Sequence, residues 1–189
     1  MNHSEIIDRL KSGNTRFTSD SLNRAFQNQE RRSSITKGQS PFAIVLSCAD
    51  SRVVPELAFD TGIGELFVIR VAGNVANTET IASIEYAVAH CHCSMIIVLG
   101  HESCGAVKAA IDGGDNGHNI NQLLSHITPA VKTCGNDADI KDVIIENTKN
   151  TITNLSENSK IISSSLNENK VEIVGAYYEL GSGKVHFLD

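Results

Sequence analysis

The sequence predicts an α/β protein: a mainly parallel central sheet of four to five strands flanked by helices, with an N-terminal helical arm. Three observations carry this. Short unbroken apolar runs recur along the chain, as strands buried on both faces require. Stretches with apolar residues at helical spacing separate them, which is the alternation that builds a parallel sheet. The composition is globular, with 41% apolar and 20% charged residues among 189.

In order, residues 4–17 form the first helix, with Ser4 as its cap and Ile6, Ile7, Leu10 and Phe17 on one side. Residues 18–40 are polar and wrap the surface as the rest of a helical arm. "FAIVLSC" (42–48), "ELFVIRVAG" (65–73), "SMIIVLG" (94–100) and "VEIVGAYYEL" (171–180) are the four buried strands. "KVHFLD" follows the last across "GSG" and reads as its hairpin partner. "TIASIEYAVAH" and "CGAVKAAI" are helices, and "DGGDNGHN" is a loop. Residues 120–134 and about 139–168 are helical, the latter as a helix pair with a loose turn. The division is one domain over 1–189: an arm (1–37), a core (38–111), then a helical region with the C-terminal strands (112–189).

Bulk properties exclude several classes. A net charge of −6 is wrong for tracking nucleic-acid phosphates. No apolar run is long enough for a membrane span. "MNHSEIIDRLKSG" lacks a basic start followed by an apolar block, so the expected location is cytoplasmic. Five cysteines, an odd number, fit metal ligands and buried thiols better than a disulfide framework.

The chemistry concentrates in "SCADSR" and "GHESCGA". Cys48 ends the first strand and His101 follows the third, so both reach the carboxyl edge of the sheet, where sites form in such folds. His101 and Cys104 have two residues between them, which lets one turn aim both at a point. Two sulfurs and one imidazole suit zinc, one ion per chain, and three protein ligands leave a position open. Asp50 has two available roles: accepting a hydrogen bond from the metal's solvent ligand, or closing the site as a fourth ligand. Arg52 holds the carboxylate and selects between them. Alternation places residues 48, 50 and 52 on one side of an extended segment.

"CADSR" followed by "GHESCGA", with "ELFVIRVAGNV" and "SIEYAV" in support, resembles the β-class carbonic anhydrases. The resemblance implies Cys48, His101 and Cys104 as zinc ligands and Asp50 with Arg52 as the catalytic dyad. It implies reversible hydration of carbon dioxide to bicarbonate and a proton, by attack of zinc-bound hydroxide. Gln39, Phe67 and Tyr86 match substrate-pocket positions, and Gly105 would bring its amide to the bound oxygen. A homodimer or homotetramer is implied, with the site near the subunit boundary and the polar arm free to swap. Some members carry a regulatory bicarbonate site of Trp, Arg and Tyr. Arg70 and Tyr178 match it, but Val45 stands at the Trp position, so weak inhibition by bicarbonate is expected. Two other functions fit the same residues: hydrolysis of carbonyl sulfide or carbon disulfide, and a non-catalytic zinc-stabilised binding module. "CHC" at 91–93 reads as a connector with buried thiols, and Cys134 as a lone helical cysteine. His118, His126 and His186 are candidate proton shuttles.

Overall fold

The structure, a computed structural model, describes residues 1–135 and 137–188. Five strands form one sheet: β1 (Ala43–Ser47), β2 (Leu66–Arg70), β3 (Met95–His101), β4 (Glu172–Tyr178) and β5 (Val185–Phe187). Their order is β2-β1-β3-β4-β5, parallel throughout except for β5, which pairs antiparallel with β4. Every residue of β1 and of β3 is buried, which is why these strands read as unbroken apolar runs. β2 lies at an edge and is only half-buried.

The helices are α1 (His3–Thr18), α2 (Gln29–Ser34), α3 (Pro55–Ala58), α4 (Thr78–Cys91), α5 (Gly105–Asp112), α6 (His118–Ser125), α7 (Thr128–Cys134), α8 (Ile140–Asn158) and α9 (Lys160–Asn167). A 3-10 turn spans Ala72–Asn74. One face of the sheet is closed by α1, whose Ile6 and Leu10 join Val45, Ile97 and Leu99 in a single apolar cluster. On the other, Ile84 and Val88 of α4 and Leu155 and Ile162 of α8 and α9 pack on Ile44, Leu46, Ile96 and Val98. A third cluster, with Val107, Leu124, Ile127 and Val143, surrounds Cys48 and Cys104.

Several local expectations change. Asn2, rather than Ser4, caps α1; its side chain accepts from Glu5 N–H while Glu5 returns a bond to Asn2 N–H, a reciprocal box. Of the segment 18–40, only Thr18, the end of α1, and α2 are helical, and Asp60 holds Asn23 and Arg24 by their amides. α1 is docked on its own chain: Asn14 donates to Ala58 and Gly183 carbonyls and accepts from Val185 N–H. The ion pairs Arg9–Glu65 and Arg16–Asp60 tie the same helix down. Residues 120–134 divide at His126–Ile127, because Pro129 lacks the N–H that a continuing helix needs and suits a helix start. The α8–α9 junction is tight: Ser159 alone separates the two helices, and its hydroxyl accepts from Ile162 N–H.

Candidate metal centre

β1 and β3 are hydrogen-bonded neighbours, so their carboxyl ends lie side by side. Cys48 is the first residue past β1, and His101 is the last of β3. Ser103 takes a left-handed conformation (φ 53°), which turns the chain so that Cys104 becomes the N-cap of α5. All three side chains are buried, and their ligand atoms lie within 4.8 Å of one another.

The donor set fits a zinc ion. His101 Nδ1 lies 2.9 Å from the Glu102 carbonyl, which can only accept, so Nδ1 carries the proton. Nε2 is then a bare lone pair, fully buried and without a partner among the described residues. Leaving a buried acceptor unused costs about 1–3 kcal/mol, so this atom is placed for a ligand. Cys48 Sγ and Cys104 Sγ are 4.0 Å apart. That is too far for a disulfide and near the about 3.8 Å that tetrahedral coordination at ordinary Zn–S lengths requires.

Electrostatics point the same way. The thiol of Cys48 is pulled down by Cys104, against its burial, with help from His101 and from the amides of Gly73 and Asp50. Those amides lie 3.3 and 3.4 Å from Sγ. Cys104 is pushed up, first by the adjacent Cys48 sulfur and then by burial. Two buried sulfurs in contact can carry one negative charge between them; a dication lets both ionise.

Asp50 does not lie on an extended segment, as alternation suggested. Residues 50–53 form a turn, closed by Val53 N–H to Asp50 O at 3.0 Å. The turn gives Arg52 access to both carboxylate oxygens: Nε and the backbone amide reach Oδ1 at 2.9 and 3.0 Å, and Nη2 reaches Oδ2 at 2.7 Å. Arg52 therefore holds the Asp50 carboxyl well below the usual carboxylate range. Asp50 Oδ2 sits 4.0 Å from His101 Nε2, so the carboxylate faces the triad.

These five residues come together; the expected substrate residues do not join them within one chain. Phe67 pairs with Ile44, four residues before Cys48, roughly 13 Å back along the strand. Tyr86 packs at a tilt against Phe67, with ring centroids 6.3 Å apart, and is 50% exposed. Gln39 is exposed in the loop before β1. Gly105 does lie beside Cys104, and a Cβ there would meet nothing within 4 Å.

Two further residues reach the site, Gly73 and Asn147. Gly73 sends its amide to Cys48 Sγ from a left-handed conformation (φ 73°), and a Cβ there would lie 2.6 Å from Ile127 Cδ1. Asn147, on α8 and 1% exposed, donates to the Gly73 carbonyl at 2.9 Å. The "AGN" triplet was the available sign of the first; nothing in the sequence marks the second.

The sequence model of the family described as Carbonic anhydrase matches residues 43–185. This chain belongs to the β-class carbonic anhydrases. The carbonic anhydrase of Mycolicibacterium smegmatis is 38% identical over 93% of this chain and 88% of its own length. Carbonic anhydrase 2 of Mycobacterium tuberculosis is 35% identical over 95% of this chain and 90% of its own. Among solved structures, the β-carbonic anhydrase CcaA superposes with a TM-score of 0.76 at 27% identity, covering 98% of this carbonic anhydrase and 88% of that chain. A β-carbonic anhydrase of Sordaria macrospora shares the fold at a TM-score of 0.76 and 24% identity, over 94% and 93% of the two chains.

Proposed function

We propose that this carbonic anhydrase performs zinc-dependent, reversible hydration of carbon dioxide to bicarbonate and a proton, with Cys48, His101 and Cys104 as ligands and Asp50 and Arg52 as the catalytic pair. The observation that carries the ligand assignment is the buried, partnerless Nε2 of His101 facing two thiols. Zinc bound there supplies Lewis acidity, which brings a water molecule's pKa toward neutrality.

The chain's own residues do the rest. Asp50, kept ionised by Arg52, can only accept hydrogen bonds. It thus fixes an O–H donor beside the triad and turns that oxygen's lone pair toward the substrate carbon. It also repels an anion that has no proton to donate. Because its carboxyl stays ionised, Asp50 is not the store for the released proton, which leaves to solvent or buffer. Val75, Val107 and Leu124 keep the surroundings of the sulfurs apolar, which strengthens these interactions.

Gln39, Phe67 and Tyr86 act, in this reading, across a boundary with a second copy of the chain. What supports this is their position: an exposed tyrosine over a half-buried edge strand. The Sordaria macrospora relatives are described as tetrameric, and a homodimer or homotetramer is proposed here. A single domain over 1–189 and a cytoplasmic location complete the proposal; five free cysteines suit a reducing compartment. No helix among the described residues is long and apolar enough to cross a membrane.

The test is zinc stoichiometry on reduced, purified protein, with stopped-flow carbon dioxide hydration at pH 7 and pH 8.5. One zinc per chain and turnover at either pH are expected. Absence of metal, or a full metal complement with no hydration at both pH values, refutes the reading.

A further inference from the structure

We propose that Arg70 is a positioning residue of the metal centre: it clamps the Cys48–Asp50 segment by two main-chain carbonyls and so keeps Asp50 out of the coordination position. The β1–β2 ladder ends with Val71 N–H to Ser47 O at 3.1 Å and Ala49 N–H to Val71 O at 3.3 Å. Beyond it the carbonyls of Cys48 and Asp50 have left the strand pairing. Arg70, the last residue of β2, reaches both: Nε lies 3.2 Å from Cys48 O and Nη2 2.6 Å from Asp50 O. One planar guanidinium therefore fastens the backbone of a ligand and of the catalytic carboxylate together. A lysine ammonium, a single point donor on a flexible stem, has no such fork.

The two arginines divide the work. Arg52 holds the Asp50 side chain, and Arg70 holds its backbone. Both are needed because Asp50 Oδ2 is already only 4.0 Å from His101 Nε2. A modest rotation of the turn would carry that oxygen into the place meant for solvent.

The same contacts reassign Arg70. The resemblance paired it with Tyr178 as an anion receptor. In the sheet, Arg70 is opposite Ser47 and Tyr178 is opposite His101, with β1 and β3 between their strands. Three strand spacings, roughly 14 Å across the sheet, and a further two residues along it separate their backbones, and the Arg70 guanidinium is engaged with the loop.

The inference rests on the metal reading above, and its test separates the two. Cobalt(II) replaces zinc in the full chain, and thiocyanate is titrated while the visible spectrum is followed. Wild-type protein should respond through its open position. Arg70→Gln should need at least about tenfold more thiocyanate, the scale of lost outer-shell support, with Arg70→Lys in between. Adding Asp50→Asn to Arg70→Gln should return the response to that of Asp50→Asn alone, because the intruding carboxylate is gone. An Arg70→Gln protein that titrates like wild type overturns the clamp. So does failure of both Arg70 variants to fold or hold cobalt, which would make Arg70 a brace of the fold. If wild-type protein itself takes up no cobalt, the metal reading fails and the clamp falls with it.

Discussion

Cys91, His92 and Cys93 are consecutive in the chain, whereas Cys48, His101 and Cys104 come from two strand ends, yet only the dispersed set brings its donors to one point. At 91–93 the chain leaves α4 through His92 in a left-handed conformation (φ 56°). Both cysteines are buried, and Cys93 donates to the Pro41 carbonyl at 3.3 Å. Burial pushes the Cys93 thiol up to about 12, so it stays protonated. At the other site, the neighbouring Cys104 thiol first, then His101 and the amides of Gly73 and Asp50, favour a thiolate on Cys48 against its burial. The lesson is that sheet order makes a metal site: two adjacent strand ends converge, while adjacent residues on one chain diverge.

Removing a sulfur from each group is expected to have opposite outcomes, and the largest effect falls at Cys48. Cys48→Ser should empty the site of zinc and lower hydration by more than about a hundredfold, beyond what loss of an outer-shell partner causes. Metal analysis and stopped-flow hydration check both; full zinc in this variant would undo the ligand assignment. Asp50→Ala should lower hydration by about a hundredfold, the range for a lost acid–base partner, while zinc stays at wild-type stoichiometry. Equal zinc loss in the two variants would make Asp50 a ligand rather than the catalytic carboxylate.

Gly73→Ala tests the amide cradle that the consecutive group lacks. The added methyl meets Ile127 Cδ1 at 2.6 Å and is strained at φ 73°. We expect about 1–3 kcal/mol of lost stability in urea unfolding and about tenfold weaker zinc retention against a chelator. Wild-type retention would mean that the Gly73 amide is dispensable. Cys93→Ala is the counterpart: zinc unchanged, hydration within about twofold, and about 1 kcal/mol of stability lost with the thiol's contacts. Zinc loss there would give the consecutive group a metal role after all.

The smallest effect is a pH dependence. The Asp50 carboxyl is depressed in the folded state, first by the Arg52 side chain, so its stabilising contribution is fully present above the unfolded value of about 3.9 and fades as the pH falls below it. In metal-free protein, the melting-temperature gap between wild type and Asp50→Asn should be flat from pH 8 to pH 5 and shrink below about pH 4. A gap that already closes between pH 7 and pH 5 would mean that Arg52 does not hold the carboxylate.

Much of this was legible in one dimension. The four apolar runs are the parallel strands, plainest in β1 and β3, where burial on both faces writes itself as unbroken hydrophobicity, and "GSG" does turn the chain into β5. That Cys48, His101 and Cys104 would meet was legible because each sits at or just beyond a strand end. The packing of α1 was not: that Leu10 enters the core and Asn14 bridges Ala58 to Val185 has no sign in the polar sequence of the arm. Nor were the uses of Arg70 and Asn147, since each bonds a main-chain carbonyl, and a carbonyl has no letter in the sequence.

The strands, their ends and the identity of the metal-seeking atoms follow from the amino acids alone, because hydrophobic periodicity and side-chain chemistry are local properties. Which polar groups brace those atoms, and how closely the sulfurs approach one another, emerge in the packed chain alone. Those depend on distances between segments far apart in the chain, set by the order of β1 and β3 in the sheet and by α8 pressing on the Ala72–Asn74 turn.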